Sequence, residues 1–196
     1  MSMSTKDKII EVLADLIRHD ENISDISISK IAELADIGKS TVYEHFSSKE
    51  DLIQETYCYL SEYYRKRILA PLQEHTFEQM YKELTQRIIR SAKEANDLMM
   101  GILNEGHHVK MLPKKDVEKI MDGIQHDVQS KFLDIIRIGV SEGIIKPNVT
   151  KTKEKGHVIR ALTIGLTMQC INDKIDLSES DALSYIYQYT VVVLNA

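Results

Sequence analysis

SISKIAELADIGKSTVYEHFSSKEDL, residues 27–52, is the stretch that decides the fold. Ser27 is typical of a helix N-cap, because its hydroxyl can accept a hydrogen bond from a free amide of the first turn. The four residues 35–38 follow the first group of apolar residues and predict a turn ending at Gly38. A second short helix then runs from about Lys39 to His45. The stretch therefore predicts two short helices joined by a turn.

Two helices joined in this way form a helix-turn-helix, which presents its second helix to the major groove of DNA. The apolar residues expected to fix the crossing of the helices are Ile31, Leu34, Ile37, Val42 and Phe46. The residues left facing outward on the second helix are Lys39, Ser40, Thr41, Tyr43 and His45. All of these can donate hydrogen bonds and none is acidic, so we expect them to face DNA.

A third helix begins just after this unit. Ser47 and Glu50 have the spacing of a capping box, in which each side chain bonds to the other residue's backbone amide. Lys49 lies in the first turn, where a cation opposes the helix dipole. Two interpretations are equally open: Lys49 faces a DNA phosphate attracted to the same helix end, or it is a solvated lysine.

The stretch resembles the signature of the TetR family of transcription regulators, over roughly residues 6–55. That signature has an Ile-Ala pair, Ala-Gly-Val, a run of Ser, Lys, Gly or Thr, then Tyr-x-x-Phe and Ser-Lys-Glu-x-Leu. The corresponding positions here are Ile31-Ala32, Ala35-Asp36-Ile37, Gly38-Lys39-Ser40-Thr41, Tyr43-x-x-Phe46 and Ser48-Lys49-Glu50-x-Leu52. Asp36 departs from the pattern, since the family usually has Gly there, and Gly38 and Ser40 stand where Ser and Gly are common.

The resemblance implies a nine-helix, Ω-shaped homodimer, usually a repressor that a small ligand releases from operator DNA. Phosphate contacts would then fall on Ser27, with Ser29 beside it, and on Tyr43 and Lys49. Base contacts would fall among Lys39, Ser40, Thr41 and His45. Lys39 is the best candidate to recognise a guanine, because lysine can donate to its O6 and N7 atoms.

The rest of the chain predicts an all-α protein of about nine helices. A long helix after residue 47 stops at Pro71. Further helices are expected near residues 76–95, 97–105, 114–142, 152–173 and 178–194, with a helix stop and turn at residues 143–148. We expect residues 1–52 to form the helix-turn-helix domain and residues 53–196 a helical ligand-binding and dimerisation domain.

The composition limits the classes of protein to which this chain can belong. Of 196 residues, 43% are apolar, with only three Pro and eight Gly, which favours a helical globular chain. We expect a cytoplasmic protein, because no apolar run approaches the ~20 residues of a membrane span and the N-terminus lacks a signal core. Cys58 and Cys170 show no metal-ligand spacing and are expected to be thiols.

Charge argues against DNA binding. Residues 1–52 hold six Lys/Arg and eleven Asp/Glu, a net charge of −5, while the remaining residues sum to zero. A nucleic-acid binder is expected to carry a basic footprint. The alternative is a TetR-shaped protein-interaction module that has lost DNA binding.

The C-terminal half contains no specific motif. We expect a homodimer in which the last two helices of each subunit form a four-helix bundle. The candidate interface residues are Ala161, Ile164, Gly165, Met168, Leu183, Ile186, Tyr187, Thr190 and Val191. The alternative is an ordinary intramolecular core.

The abundant methionines predict a mostly apolar pocket for a small apolar or amphipathic ligand. Its candidate residues are Tyr57, Tyr63, Tyr64, Met99, Met100, Leu103, His107, Met121, Met168 and Gln169. Ordinary core packing explains any one of them better. We expect no metal site or cofactor, because Glu105, His107, His108 and His126 fit no ligand template, and no catalytic constellation, so an enzyme is not expected.

Overall fold

The structure, a computed structural model, describes residues 3–19, 26–95, 114–147, 153–171 and 176–196, without the side chains of residues 114–118, 120 and 121. These residues form helices α1 (Thr5–Arg18), α2 (Ile28–Leu34), α3 (Lys39–His45), α4 (Lys49–Leu69), α5 (Phe77–Glu94), α6 (Lys114–Ser141), α7 (Lys153–Ile171) and α8 (Glu179–Asn195). They contain no strand, so the all-α prediction is confirmed. The helix predicted near residues 97–105 lies outside the described residues.

The chain divides into two compact units, and the division differs from the boundary expected at residue 52. The first unit contains residues 1–65 and 94–123, and the second contains residues 66–93 and 124–196. The boundary falls inside α4, because the first part of this helix packs into the core of the first unit. Leu52, Ile53 and Leu60 are all buried there.

The core of the first unit is built on α1, whose apolar stripe repeats with helical spacing. Ile9, Leu13 and Ile17 are buried along it and pack with residues of α2, α3 and α4. Ser4 caps α1 by accepting a hydrogen bond from the amide of Asp7 at 3.1 Å. The helix-turn-helix therefore packs against α1, which buries one full face in this core.

The second unit depends on a close approach between α5 and α6. Phe77 is fully buried at the start of α5, and its ring lies over Gly139 of α6. The carboxylate of Glu142 accepts hydrogen bonds from the Phe77 amide at 3.1 and 3.2 Å. Glu142 therefore satisfies one of the free amides at the N-terminus of α5, where a negative charge also favours the helix dipole.

Polar contacts fix α8 within the same unit. The hydroxyls of Tyr81 and Thr190 lie 2.9 Å apart in the core, and burial raises the pKa of Tyr81 to about 12. At the start of α8, Glu179 accepts hydrogen bonds from Gln86 at 3.0 Å and from Arg90 at 3.1 Å. These contacts tie both ends of α8 to α5, so the rotation of α8 about its axis is fixed.

The ends of the helices follow local rules, as the sequence predicted. α4 ends at Leu69, two residues before Pro71, and α6 ends at Ser141 before Gly143, which has a φ of 75°. Glycine adopts such a left-handed angle without steric cost. None of the described helices combines the length and apolar character that a membrane crossing requires.

Replacing Gly139 with Ala should destabilise the second unit. A Cβ atom there would lie 2.8 Å from two atoms of the buried Phe77 ring and 3.0 Å from Ile145. Overpacking of this kind costs about 1–3 kcal/mol. Gly156→Ala, on α7 of the same unit, is the matched control, because its Cβ would meet nothing within 4 Å. Alanine should stabilise that exposed position by about 0.5–1 kcal/mol. Thermal unfolding followed by circular dichroism measures both, and equal melting temperatures for the two variants would contradict the close approach.

Candidate nucleic-acid interface

The turn between α2 and α3 has a defined hydrogen-bond pattern. The amide of Ile37 donates to the carbonyl of Ala32, and the amide of Asp36 donates to the carbonyl of Glu33, each at 3.0 Å. This pair of bonds is a Schellman motif, which ends a helix with one left-handed residue. That residue is Asp36, with a φ of 54°.

Asp36 therefore occupies the position where the resemblance led us to expect Gly. Aspartate is one of the few residues with a side chain that adopt this conformation. Gly38 does not supply the left-handed angle, contrary to the prediction from its residue type. It has a φ of −74° and is the N-cap of α3.

The short helix α3 is held by one fully buried side chain, Val42. Successive residues of a helix are rotated by about 100°. Relative to Val42, Lys39 and His45 are therefore rotated by about 60°, and Thr41 and Tyr43 by about 100°. Ser40 and Glu44 are each rotated by about 160°, so they point most directly away from the core.

The residues predicted to contact DNA occupy three kinds of position. Ser27 caps α2, and its hydroxyl accepts a hydrogen bond from the Lys30 amide at 3.1 Å, as predicted. Thr41 and Lys49 are half-buried. The exposed residues are Ser29, Lys39, Ser40, Tyr43 and His45. Tyr43 is 50% exposed, which is unusual for a large aromatic side chain.

Two expectations about this unit are wrong. Leu34 was expected in the small core, but it is 52% exposed, because Ile31 and Ala35 take the buried side of α2. The outward face of α3 was expected to carry no acid, but Glu44 is exposed on it, one turn after Ser40. The sequence did contain a signal for Glu44: a residue two positions after a buried helical residue points away from the core.

The cap of α4 lies one residue later than predicted. Its first helical residue is Lys49, and the hydroxyl of Ser48 accepts a hydrogen bond from the Asp51 amide at 3.1 Å. The carboxylate of Asp51 accepts from the amide of Ser47 at 2.8 Å and from its hydroxyl at 2.9 Å. Hydrogen bonds from the amide and hydroxyl of Ser47 hold the pKa of Asp51 below its ordinary value. Ser48 is therefore the N-cap of α4, Asp51 reaches back to Ser47 and not to Ser48, and Lys49 stands at the helix N-terminus.

A lysine joins α1 to α4 beside this cap. The ammonium of Lys6 lies 2.6 Å from a carboxylate oxygen of Glu55 and 5.4 Å from the centre of the Phe46 ring. Phe46 is the residue that ends α3 and is itself buried. The N-terminal helix therefore supports the residues on both sides of the turn between α3 and α4.

The predicted ligand residues are only partly described. Tyr57 and Tyr64 pack in the core of the first unit, and the guanidinium of Arg18 lies 5.5 Å from the centre of the Tyr63 ring. In the second unit, Met168 and Gln169 are exposed on α7. Met99, Met100, Leu103 and His107 lie outside the described residues, as does the side chain of Met121. On α4, the rings of Tyr63 and Tyr64 contact each other edge to face, with centroids 5.4 Å apart.

The predicted interface residues separate into an exposed and a buried set. On α7, the predicted interface residues are Ala161, Ile164, Gly165 and Met168, and all four are exposed. On α8, Ile186 and Thr190 are fully buried in the core of the unit, where a partner cannot contact them. Leu183, Tyr187 and Val191 are partly buried and pack against the same core. The large apolar side chains that α8 exposes are instead Tyr185, Tyr189 and Val192.

The comparison with known proteins agrees with the motifs. Residues 17–56 match the family model described as bacterial regulatory proteins, tetR family. The matched segment contains the turn, the whole of α2 and α3, and the cap of α4. The search among curated proteins gave no match.

Solved structures of TetR-family regulators share the fold. A regulator from Streptomyces coelicolor has a TM-score of 0.71 at 14% identity, covering 98% of this chain and 82% of the other. A tetR-family regulatory protein from Rhodococcus RHA1 has a TM-score of 0.61 at 14% identity, covering 100% and 99%. The regulator PfmR from Thermus thermophilus has a TM-score of 0.57 at 18% identity, covering 96% and 97%. The chain therefore carries the TetR-family helix-turn-helix sequence and the TetR-family fold, and the predicted resemblance is confirmed.

Replacing Asp36 with Gly should stabilise the helix-turn-helix. The left-handed angle costs a residue with a Cβ atom about 1–2 kcal/mol, and Gly removes this cost. The greater freedom of Gly in the unfolded chain offsets part of the gain in stability. We expect a net gain of roughly 0.5–1 kcal/mol. Asp36→Asn is the control, because Asn also tolerates this conformation but carries no charge. Urea titration measures the free energy of unfolding of both variants. An equal increase in both would show that the effect comes from the loss of charge and not from the backbone.

Proposed function

We propose that this protein is a cytoplasmic transcription regulator that binds palindromic operator DNA as a homodimer and is released by a small ligand. One observation carries the DNA-binding part: α3 is anchored by Val42 and exposes Lys39, Ser40 and Tyr43 within a segment that matches the TetR family. A recognition helix must present polar side chains to base edges from a fixed support. Both conditions are met here.

The phosphate contacts of this proposal fall at two helix starts. Ser27 begins α2, and its hydroxyl hydrogen remains able to donate because the oxygen accepts from Lys30. Lys49 begins the long helix α4. The N-terminus of a helix attracts an anion through its free amides and its dipole, and a lysine in the same turn adds a positive charge. We assign both residues to the positioning of the duplex.

Homodimer formation in the proposal uses α7 and α8, which pack against one another. Val158, Ile164 and Met168 form an exposed apolar stripe on α7, beside the small residues Ala161 and Gly165. On α8, Tyr185, Tyr189 and Val192 follow one another at intervals of four and three residues, which places them on one face. Exposed apolar stripes of this kind mark protein interfaces. A second copy of the chain is the partner that a TetR-type regulator needs.

A palindromic operator would place two recognition helices in successive major grooves, about 34 Å apart. Release then requires a ligand that binds better to an arrangement with a different spacing. Such coupling typically amounts to 1–3 kcal/mol, or roughly a 5- to 150-fold change in DNA affinity. The direction of regulation in this proposal is repression.

A second candidate is a TetR-shaped module that acts through a protein partner without binding DNA. The net charge of −5 over residues 1–52 favours it. The two candidates differ in one measurable property, which is sequence-specific binding to a duplex. Selection from a randomised duplex library, followed by fluorescence anisotropy on the selected site, separates them. Failure to enrich any sequence would support the module.

Replacing Lys49 with Ala should weaken binding to the selected site and to scrambled duplexes by a similar factor, because a phosphate contact carries no sequence information. Replacing Lys39 with Ala should weaken binding to the selected site more, and should relax the preference at one base pair. Anisotropy titrations against the site, its single-base variants and a scrambled duplex measure both effects. Identical profiles for the two variants would show that these role assignments are wrong.

Replacing Tyr189 with Glu should convert the dimer to a monomer. Tyr189 is 55% exposed, so the monomer tolerates the charge, but burying an unpaired carboxylate at an interface costs several kcal/mol. Ser180→Glu adds the same charge at an exposed position on the side of α8 opposite Tyr189 and should leave the dimer intact. Sedimentation velocity gives the oligomeric state. If Tyr189→Glu stayed dimeric, the interface would lie elsewhere.

A further inference from the structure

An acidic side chain lies on the part of α3 that points most directly away from the protein. Val42 is fully buried, and Ser40 and Glu44 lie on the opposite side of the helix, one turn apart. Both are exposed. If α3 enters a major groove, Glu44 is therefore among the side chains that reach deepest, ahead of Tyr43 and Thr41.

A carboxylate in this position needs a specific partner. DNA carries one negative charge per ~1.7 Å of helix axis, so a glutamate in the groove is repelled by the phosphates on both sides. Among the described residues, no lysine or arginine forms an ion pair with Glu44. The repulsion is offset only where the carboxylate accepts a hydrogen bond from an exocyclic amino group of a base.

We propose that Glu44 is a specificity-determining residue that accepts a hydrogen bond from the N4 amino group of a cytosine in each operator half-site. This inference rests on the proposed DNA-binding function. Cytosine presents only this donor in the major groove, and glutamate is a suitable acceptor for it. Adenine also has an amino group, but its N7 acceptor lies directly beside it and repels a carboxylate. Guanine and thymine present acceptors, so they are disfavoured too.

The position of the cytosine within the half-site follows from the helix. Glu44 lies five residues after Lys39, a rise of about 7.5 Å along α3. Neighbouring bases of one strand are about 3.4 Å apart along the duplex. The cytosine recognised by Glu44 should therefore lie within about two to three base pairs of the base recognised by Lys39.

The test compares base preferences of Glu44 variants. Full-length wild type, Glu44→Gln and Glu44→Ala are each used to select from the same randomised duplex library. Glutamine can accept from N6 and donate to N7 of adenine, so Glu44→Gln should change one position from cytosine to adenine. Glu44→Ala should lose the preference there. Anisotropy on duplexes that differ at this base should show at least about fivefold discrimination by the wild type, the effect of roughly 1 kcal/mol.

Glu33→Gln is the matched control. Glu33 is exposed on α2 and belongs to the same helix-turn-helix, so its replacement makes the same change in charge away from the outermost face of α3. It should tighten binding to every duplex by a similar factor and keep all base preferences. Because Glu44 and Glu33 are both exposed, the variants should have the melting temperature of the wild type.

Two different failures are distinguishable. If the wild type enriches no sequence, the proposed DNA-binding function fails, and the role of Glu44 falls with it. If the wild type selects a site but Glu44→Gln and Glu44→Ala keep the same preferences and only bind more tightly, Glu44 merely repels DNA. That result would overturn this inference and leave the proposed function standing.

Discussion

The orientation of α3 in the helix-turn-helix depends on the burial of one side chain, that of Val42. A helix of seven residues is not stable by itself, because the cost of nucleation exceeds what so few hydrogen bonds return. α3 therefore exists through its packing, and Val42 is its fully buried residue. One anchored side chain fixes the rotation of the helix, and the rotation decides which residues face outward. The core of α1, α2 and α4 is the support that keeps this rotation constant.

Several acidic residues among the first 52 have structural roles that the net charge does not reveal. The carboxylate of Asp51 receives the amide and hydroxyl of Ser47, and Asp15 pairs with Arg18 at 2.7 Å. Asp7 lies in the first turn of α1 and accepts a hydrogen bond from the hydroxyl of Ser4 at 2.7 Å. Acids in the first turn of a helix favour its dipole. The sign of the total charge is therefore a poor guide to the charge that faces a nucleic acid.

The second unit shows how a helix with apolar residues on more than one side is oriented by its packing. α8 carries apolar residues around most of its circumference, so its sequence is compatible with more than one buried face. Contacts with α5 determine which face of α8 is buried. Tyr81 forms a hydrogen bond with Thr190, and Glu179 accepts hydrogen bonds from Gln86 and Arg90. Because that side of α8 packs in the core, Tyr189 and Val192 on another side are exposed. The exposed apolar surface of α8 therefore lies on a different face from the one expected at Ile186 and Thr190.

Sequence alone determined the features that depend on neighbours within a few residues. The helix-turn-helix, the cap at Ser27, the stop before Pro71 and the turn at Gly143 all follow from local hydrogen bonds and backbone angles. Tertiary structure decided which side of each helix faces outward, because rotation about a helix axis is set by distant packing partners. For that reason Leu34 was wrongly assigned to the core. Glu44 was overlooked although its spacing from the predicted core residue Val42 already indicated the outer face of α3.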